Sequence, residues 1–384
     1  MADGTAHLNL RIYQRIEEIG QAVWDGCAGD DNPFTSHAFL SALEDSGSVG
    51  PRTGWHPRHV VLHDAQGEVA AVAPAYAKTN SYGEYVFDHA WANALERVGG
   101  RYYPKLQIAV PFSPVPGPRI LARPGLPVAA MAGALAQMAQ SLECSSAHVT
   151  FCSENEWHAL GEAGWLQRLG VQFHWHNAGY RDFEDFLGAL ASRKRKAIKR
   201  ERREAQAGLT FQALSGAALT PQVWRAFYNF YTATVDRKWG GAYLTEAFFP
   251  LLGERLGDKI VLMLALRDGR PIAGALNLRS ANVLYGRNWG ATEDVPFLHF
   301  ELCYYQAIDY AIAHGIQRVE AGAQGEHKIQ RGYLPRPTYS AHLIRHAGLA
   351  DAVAEFLVEE RAGMDRAIAA MMEDSPYRKA GEGG

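Results

Sequence analysis

Apolar and polar positions alternate most regularly between residues 259 and 334, and the rest of the chain is read around that stretch. Two alternating runs, Lys259 to Arg267 and Pro271 to Ser280, flank Asp268-Gly269, a dipeptide suited to a two-residue hairpin turn because both positions need positive φ. A third run, Asn282 to Gly290, adds another antiparallel strand. Beyond Ala291 to Pro296 the period lengthens. Phe300, Leu302, Tyr305, Ile308 and Ile312 fall at helical spacing, and Gly315 after His314 ends the helix. Gln317 to Ala321 is a fourth strand, opening into a polar, glycine-bearing stretch that ends at Tyr333. Loops at strand ends are common carriers of chemistry, because a rigid scaffold positions them while leaving them accessible.

The first half repeats part of this theme. Arg58 to Leu62 and Val69 to Lys78, joined through Asp64-Ala65-Gln66-Gly67, predict a second hairpin, and Gly67 and Gly269 lie 202 positions apart, the signature of an internal duplication. Around it the pattern predicts helices at Ser36 to Asp45, Ala90 to Gly99, Leu126 to Leu142 and Glu156 to Leu169. It predicts strands at Lys105 to Val110, His148 to Phe151 and Val171 to Trp175. Pro111 to Pro118 is too proline-rich for a central strand and reads as a rigid loop. The type of Arg11 to Ile19 stays open between strand and helix.

A second domain is expected to begin near residue 180, giving domains at 1–179 and 180–348 and a C-terminal helix and tail at 349–384. Its first distinctive feature is Ser192 to Glu204, where eight Arg and Lys residues face two Glu, a local charge of +6 on a predicted exposed helix. A helix starting at Thr220-Pro221 carries Trp224, Phe227, Tyr228, Phe230 and Tyr231, a stripe read as core. Arg237 and Trp239, beside Gly240-Gly241 at its end, are candidate acceptor-loop residues.

Composition narrows the class. The 384 residues are 47% hydrophobic and 21% charged, ordinary for a globular protein of two domains, and the formal charge of -3 disfavours a general nucleic-acid coat. That balance sets the basic helix apart. Cys27, Cys144, Cys152 and Cys303 form no CxxC pair, no signal peptide is evident, and no apolar run reaches the roughly 18 to 20 residues of a membrane helix, so a cytoplasmic protein is expected. No GxSxG, HExxH, Walker loop or paired zinc ligands occurs, and neither a metal nor a bound cofactor is expected.

The order strand, strand, strand, helix, strand resembles the GNAT N-acyltransferase superfamily. Arg287-Asn288-Trp289-Gly290 and the loop with Lys328 and Arg331-Gly332 resemble the second domain of Fem-type aminoacyl-transferases and FemAB-like N-acyltransferases. The resemblance implies an α/β fold of tandem GNAT-like domains, each a mixed, mostly antiparallel sheet flanked by helices. It also implies attack of an amine on an activated acyl ester or thioester, which needs a base and oxyanion donors. Glu320, His327, Lys328 and Arg331 are then the catalytic candidates, with Glu320 or His327 as base. Tyr285, Arg287, Asn288, Trp289, His299, Glu301, Arg237 and Trp239 are the substrate-binding candidates. In the Fem-type reading Arg195, Lys199 and Arg202 hold the phosphates of an aminoacyl-tRNA or another carrier. The segment Gly290 to Leu298, where such folds grip the coenzyme A pyrophosphate, offers one glycine and the carboxylates of Glu293 and Asp294; their repulsion shifts the expected donor toward aminoacyl-tRNA. The acceptor is a small molecule or peptidoglycan precursor bearing an amine. Two alternatives remain: an acyl-coenzyme A dependent transferase, and a non-catalytic double domain that binds peptidoglycan precursor or RNA.

Overall fold

The computed structural model describes residues 8–124, 126–238, 241–322 and 325–378, and side chains at 236–238 lie outside the description. Within these residues the strands are β1 (Asn9–Tyr13), β2 (Trp55–Pro57), β3 (His59–His63), β4 (Val69–Ala73), β5 (Ala75–Lys78), β6 (Lys105–Ile108), β7 (Leu121–Ala122), β8 (Ser146–Cys152), β9 (Leu166–His176), β10 (Thr210–Leu214), β11 (Ile260–Arg267), β12 (Arg270–Arg279), β13 (Val283–Ala291), β14 (Arg318–Glu320) and β15 (Leu334–Ile344). Contacts divide the chain into two units, 1–170 with 338–365 and 171–337 with 366–384. A single cut at 179/180 does not describe this division. Strand β9, which follows the helix Glu154–Glu162, pairs with β14 in the second unit, and β15 pairs with β8 in the first. The expected helix over 156–169 is correspondingly shorter, Glu154–Glu162, because Leu166 to Leu169 already belong to β9.

In the second unit β10, β11, β12 and β13 pair antiparallel in sequence order, β14 joins β13 in parallel, and β9 closes against β14 antiparallel. The first unit has the same succession. β1 pairs with β3 and β3 with β4; after Pro74 the chain continues as β5, antiparallel to β6; β8 joins β6 in parallel, and β15 closes antiparallel. The two hairpins therefore occupy matching places, and the duplication holds at the level of strand order and direction. One difference is Pro74. It cannot donate to a ladder, and the counterpart of the continuous ten-residue β12 is split there into β4 and β5. Both units are mixed, mostly antiparallel sheets flanked by helices, the tandem GNAT-like architecture expected from the resemblance.

Local chemistry explains the second unit's elements. Asp268 and Gly269 both have positive φ, 51° and 76°, the conformation of a primed two-residue turn. Leu284, Val319 and Trp175, on one face of β13, β14 and β9, join a core with Leu302, Tyr305, Ile308 and Ala311 of the following helix. On this sheet Gly274 of β12 pairs with Gly290 of β13, and the helix Pro221–Lys238 presses on both. A Cβ at Gly290 would lie 1.9 Å from the Phe230 carbonyl oxygen, a backbone atom that cannot rotate aside. Gly290→Ala is expected to cost about 1–3 kcal/mol by overpacking. An unchanged urea midpoint would show that helix and sheet are not in register there.

Candidate active site

Strand pairing assembles the polar face opposite this core. Tyr285 of β13 pairs with Glu320 of β14, and Glu320 with His174 of β9; because register neighbours share a face, the three side chains leave the sheet together. Glu320 is 3% exposed. Its Oε1 accepts from Arg318, with Nη2 at 2.9 Å and Nε at 3.0 Å, while Oε2 is buried without a protein partner. Burial pushes the Glu320 carboxyl up to about 7, against the opposing pull of Arg318 and Arg287. His174, 8% exposed, also has a buried, unpartnered Nε2. Burial, reinforced by Arg318, lowers it to about 3, so the imidazole is neutral at physiological pH. Sequence reasoning missed His174 and Arg318. The available signal was the alternation His174-Trp175-His176, which sends two imidazoles to the face opposite a core tryptophan.

The neighbouring strand is irregular. Leu276 pairs with Asn288 but Asn277 with Gly286, so Arg287 is an extra residue in a β-bulge. The bulge reverses the alternation: Leu284 and Trp289, five positions apart, both pack on the core. Trp289 therefore does not share a face with Tyr285, contrary to the regular alternation expected from sequence. Bulges re-aim side chains next to active sites in many folds, and this one falls just beyond the last register pair with β14.

The loop after β14 winds into a short 3-10 helix, Glu326–Arg331. Lys328 is buried, and its Nζ donates to the carbonyls of Ala321 at 2.7 Å and Gly322 at 3.0 Å, fastening the loop to the strand end. Burial brings its amine down to about 8. Arg331 reaches Glu201 at 2.9 Å and the His327 carbonyl at 2.7 Å, and lies 3.5 Å over the Phe300 ring, but its Nε is buried and unpartnered. The His327 Nε2 is 3.0 Å from the Tyr304 hydroxyl. Burial, then Arg331, lowers the His327 imidazole from its ordinary value. The structure thus ties Lys328 to the end of β14, where Glu320 lies, groups His327 and Arg331 with Tyr304, Phe300 and Glu201, and already engages most donors of the two cations. Lys328 and Arg331 shape the loop as well as charging it.

Glu301 does not line a substrate surface. It is fully buried in a π-helical turn, Glu301–Tyr305, and accepts from Arg202 at 3.0 Å, Gln206 at 2.9 Å and Gln306 at 2.7 Å. Arg202 likewise leaves the polyanion set, since it is 15% exposed and also bonded to Asp309 at 2.6 Å. Lys199 is exposed and paired with Glu184 at 2.6 Å; Arg195 is half-buried. The helix Ser192–Ala205 therefore has two faces. Ile198, Glu201, Arg202 and Ala205 point inward, whereas Arg193, Lys196, Arg200 and Arg203, at helical spacing, form an exposed basic stripe. The side chain of Arg237 and all of Trp239 lie outside the described residues.

Tyr285 is buried, and Arg287, Asn288, Trp289 and His299 are half-buried. Trp289 and His299, 5.1 Å apart, line a cavity of about 410 Å³ with Phe297 and Phe300. Glu293 on its rim is paired with Arg267 and, at 3.5 Å, with Arg270. Of the two carboxylates expected to repel a pyrophosphate at this loop, Glu293 is thus matched, and Asp294 has no ion pair among the described residues. In the first unit the positions matching Tyr285, Glu320 and His174 are Gln107, His148 and His342. Both ring nitrogens of each of those histidines are occupied: the rings meet at 2.8 Å, Ser146 lies 2.7 Å from His148, and Ser340 lies 3.0 Å from His342. Unpartnered acid and imidazole at these matched positions occur only in the second unit, among the described residues.

These features define a protein of tandem GNAT-like units with its candidate chemistry in the second. The chain belongs to the FemAB-like family, described as peptidoglycan biosynthesis/recognition, whose model matches residues 15–379. Membership supports an acyltransferase-like role connected with peptidoglycan. No curated protein matches the sequence. Among solved structures, the C-terminal domain of an assigned lysylphosphatidylglycerol synthetase from Agrobacterium fabrum is 12% identical with a TM-score of 0.55, over 89% of this chain and 96% of that one. FemX is 11% identical with a TM-score of 0.54, over 90% and 100%. L-PGS from Bacillus licheniformis is 11% identical with a TM-score of 0.50, over 85% and 98%. At such identities these likenesses bear on fold alone. No helix of the described residues is long and apolar enough to cross a membrane.

Proposed function

We propose that the second unit forms an amide bond between an activated aminoacyl group and an amine, with Glu320 as the base. The observation that carries this reading is the buried Glu320 carboxyl, raised to about 7, with Oε2 unpartnered beside the unpartnered Nε2 of His174. A carboxylate tuned to neutrality takes the proton of an attacking ammonium without being permanently protonated itself. The neutral amine nitrogen then bonds to the acyl carbon, the ester carbon–oxygen bond breaks as the leaving oxygen receives the proton from Glu320, and the surplus proton left on nitrogen passes to the freed carboxylate and on to solvent. The Arg331 Nε and the Lys328 ammonium supply positive charge toward the developing oxyanion.

A polyanionic donor, aminoacyl-tRNA, suits the basic stripe of Arg193, Lys196, Arg200 and Arg203, and family membership makes a cytoplasmic peptidoglycan precursor the preferred acceptor. The test incubates the protein with bulk tRNA charged with labelled amino acids and a nucleotide-linked peptidoglycan precursor. Label should appear in the precursor. If it appears only with acyl-coenzyme A, the donor assignment falls; if neither donor transfers, the double domain is a binding module. Reversing Arg193, Lys196 and Arg200 to Glu is expected to weaken tRNA binding on the order of 10- to 100-fold at low salt and to flatten its salt dependence. Unchanged binding and salt slope would reduce the stripe to a solvated face.

A further inference from the structure

The cavity beside Trp289 has a chemistry that general acyl transfer does not require. Its lining is mixed: Trp289, Phe297, Phe300 and His299 offer ring surface, Val295 and Pro296 aliphatic surface, and Thr234, Glu293 and Asp294 polar groups. Asp294, exposed on the same lining, has no ion pair among the described residues, whereas the neighbouring Glu293 is satisfied by Arg267 and Arg270. One face of Phe300 is covered by Arg331, whose charge is matched by Glu201 at 2.9 Å. Among the described residues no cation lies over Trp289 or Phe297, His299 packs edge-on against Trp289 at 5.1 Å, and Asp294 is the lining carboxylate without an ion pair.

We infer that this cavity is a recognition site for an organic cation on an aliphatic stem, the side chain of a positively charged aminoacyl group. Aromatic faces attract a cation through their quadrupoles, and a carboxylate adds a charge-assisted hydrogen bond. An apolar group entering the cavity would gain burial but draw nothing from the Asp294 carboxylate, and an anion would be repelled by it. A flexible stem can lie along Val295 and Pro296 while its charged head stays near the wetter rim. The cavity follows β13 at the start of the helix 298–313.

Assigning the cation to the donor rests on the transfer reading above; the cation preference itself does not. The protein is titrated by NMR with Nα-acetyl-L-lysinamide, charged only at its side chain, and with Nα-acetyl-L-norleucinamide, an uncharged analogue of similar shape. The lysine derivative should bind about tenfold tighter or better. Asp294→Asn, at an exposed position that leaves the core intact, should remove most of that difference, and Trp289→Leu should weaken the lysine derivative. Equal binding of the two probes, or an unaffected preference in Asp294→Asn, overturns the site. If the preference is found and the transfer assay delivers an uncharged amino acid, the donor role falls and the cation site stands. If it is found and no transfer occurs with any donor, the transferase reading falls and the cation site again stands.

Discussion

Glu320→Gln should lower the rate of transfer on the order of 10²- to 10⁴-fold, the range supplied by a positioned general base, while substrate binding changes far less. The pH dependence sharpens the test. Because the carboxyl is raised to about 7, the rate of the native protein should climb with pH up to about 7 as the base ionises, and this limb should vanish in Glu320→Gln. Stability should move in the opposite sense. The folded state keeps its proton to about 7 while the unfolded chain loses it near the ordinary value of 4.5, so ionisation of the buried group erodes stability between those pH values. The Gln variant avoids that erosion and should be no less stable than the native protein at pH 8 by urea denaturation. A slow but well-folded variant identifies the base. Full activity with an unaltered pH limb would assign proton removal to another group.

Most of the second unit was legible because its signals are local. Asp268-Gly269 sets the hairpin, the change of period at Phe300 marks the helix, and Gly315 with φ 66° ends it. The duplication could be read from the two turns alone. The exchange of β9 and β15 was not legible, because a strand's sequence records its alternation and burial but not which sheet receives it. The same limit applies to the site. Glu320 stood out at a strand end, but its partner His174 lies 146 positions earlier and meets it only through strand register. The bulge at Arg287 escaped detection because it shows only across the strand pair, where Leu276 meets Asn288 but Asn277 meets Gly286, and the Asn277 side chain donates to the carbonyls of Val261 and Ala275 at 3.1 Å. In the basic helix, charge density concealed two populations, since an inward arginine and an outward one look alike until the acids that receive the inward one are placed.

Arg202→Ala should therefore act on the fold rather than on polyanion binding. Arg202 donates through Nη2 to Glu301 at 3.0 Å and Asp309 at 2.6 Å, and its guanidinium lies 4.1 Å over the Phe183 ring. Removing it leaves the fully buried Glu301 with only the neutral donors of Gln206 and Gln306, an uncompensated charge that typically costs about 3–5 kcal/mol. Against the 5–15 kcal/mol of an ordinary domain, roughly, this is a large fraction, visible as a marked fall in urea midpoint. The outward residues give the control: Arg193→Ala and Arg203→Ala should shift stability by no more than about 0.5 kcal/mol. Combining Arg202→Met with Glu301→Gln removes both charges while keeping much of the packing, and should recover a substantial part of the loss. If Arg202→Ala unfolds at the same midpoint as Arg203→Ala, the inward ion network is not the clamp on the π-turn, and Arg202 returns to the set of residues available to a phosphate.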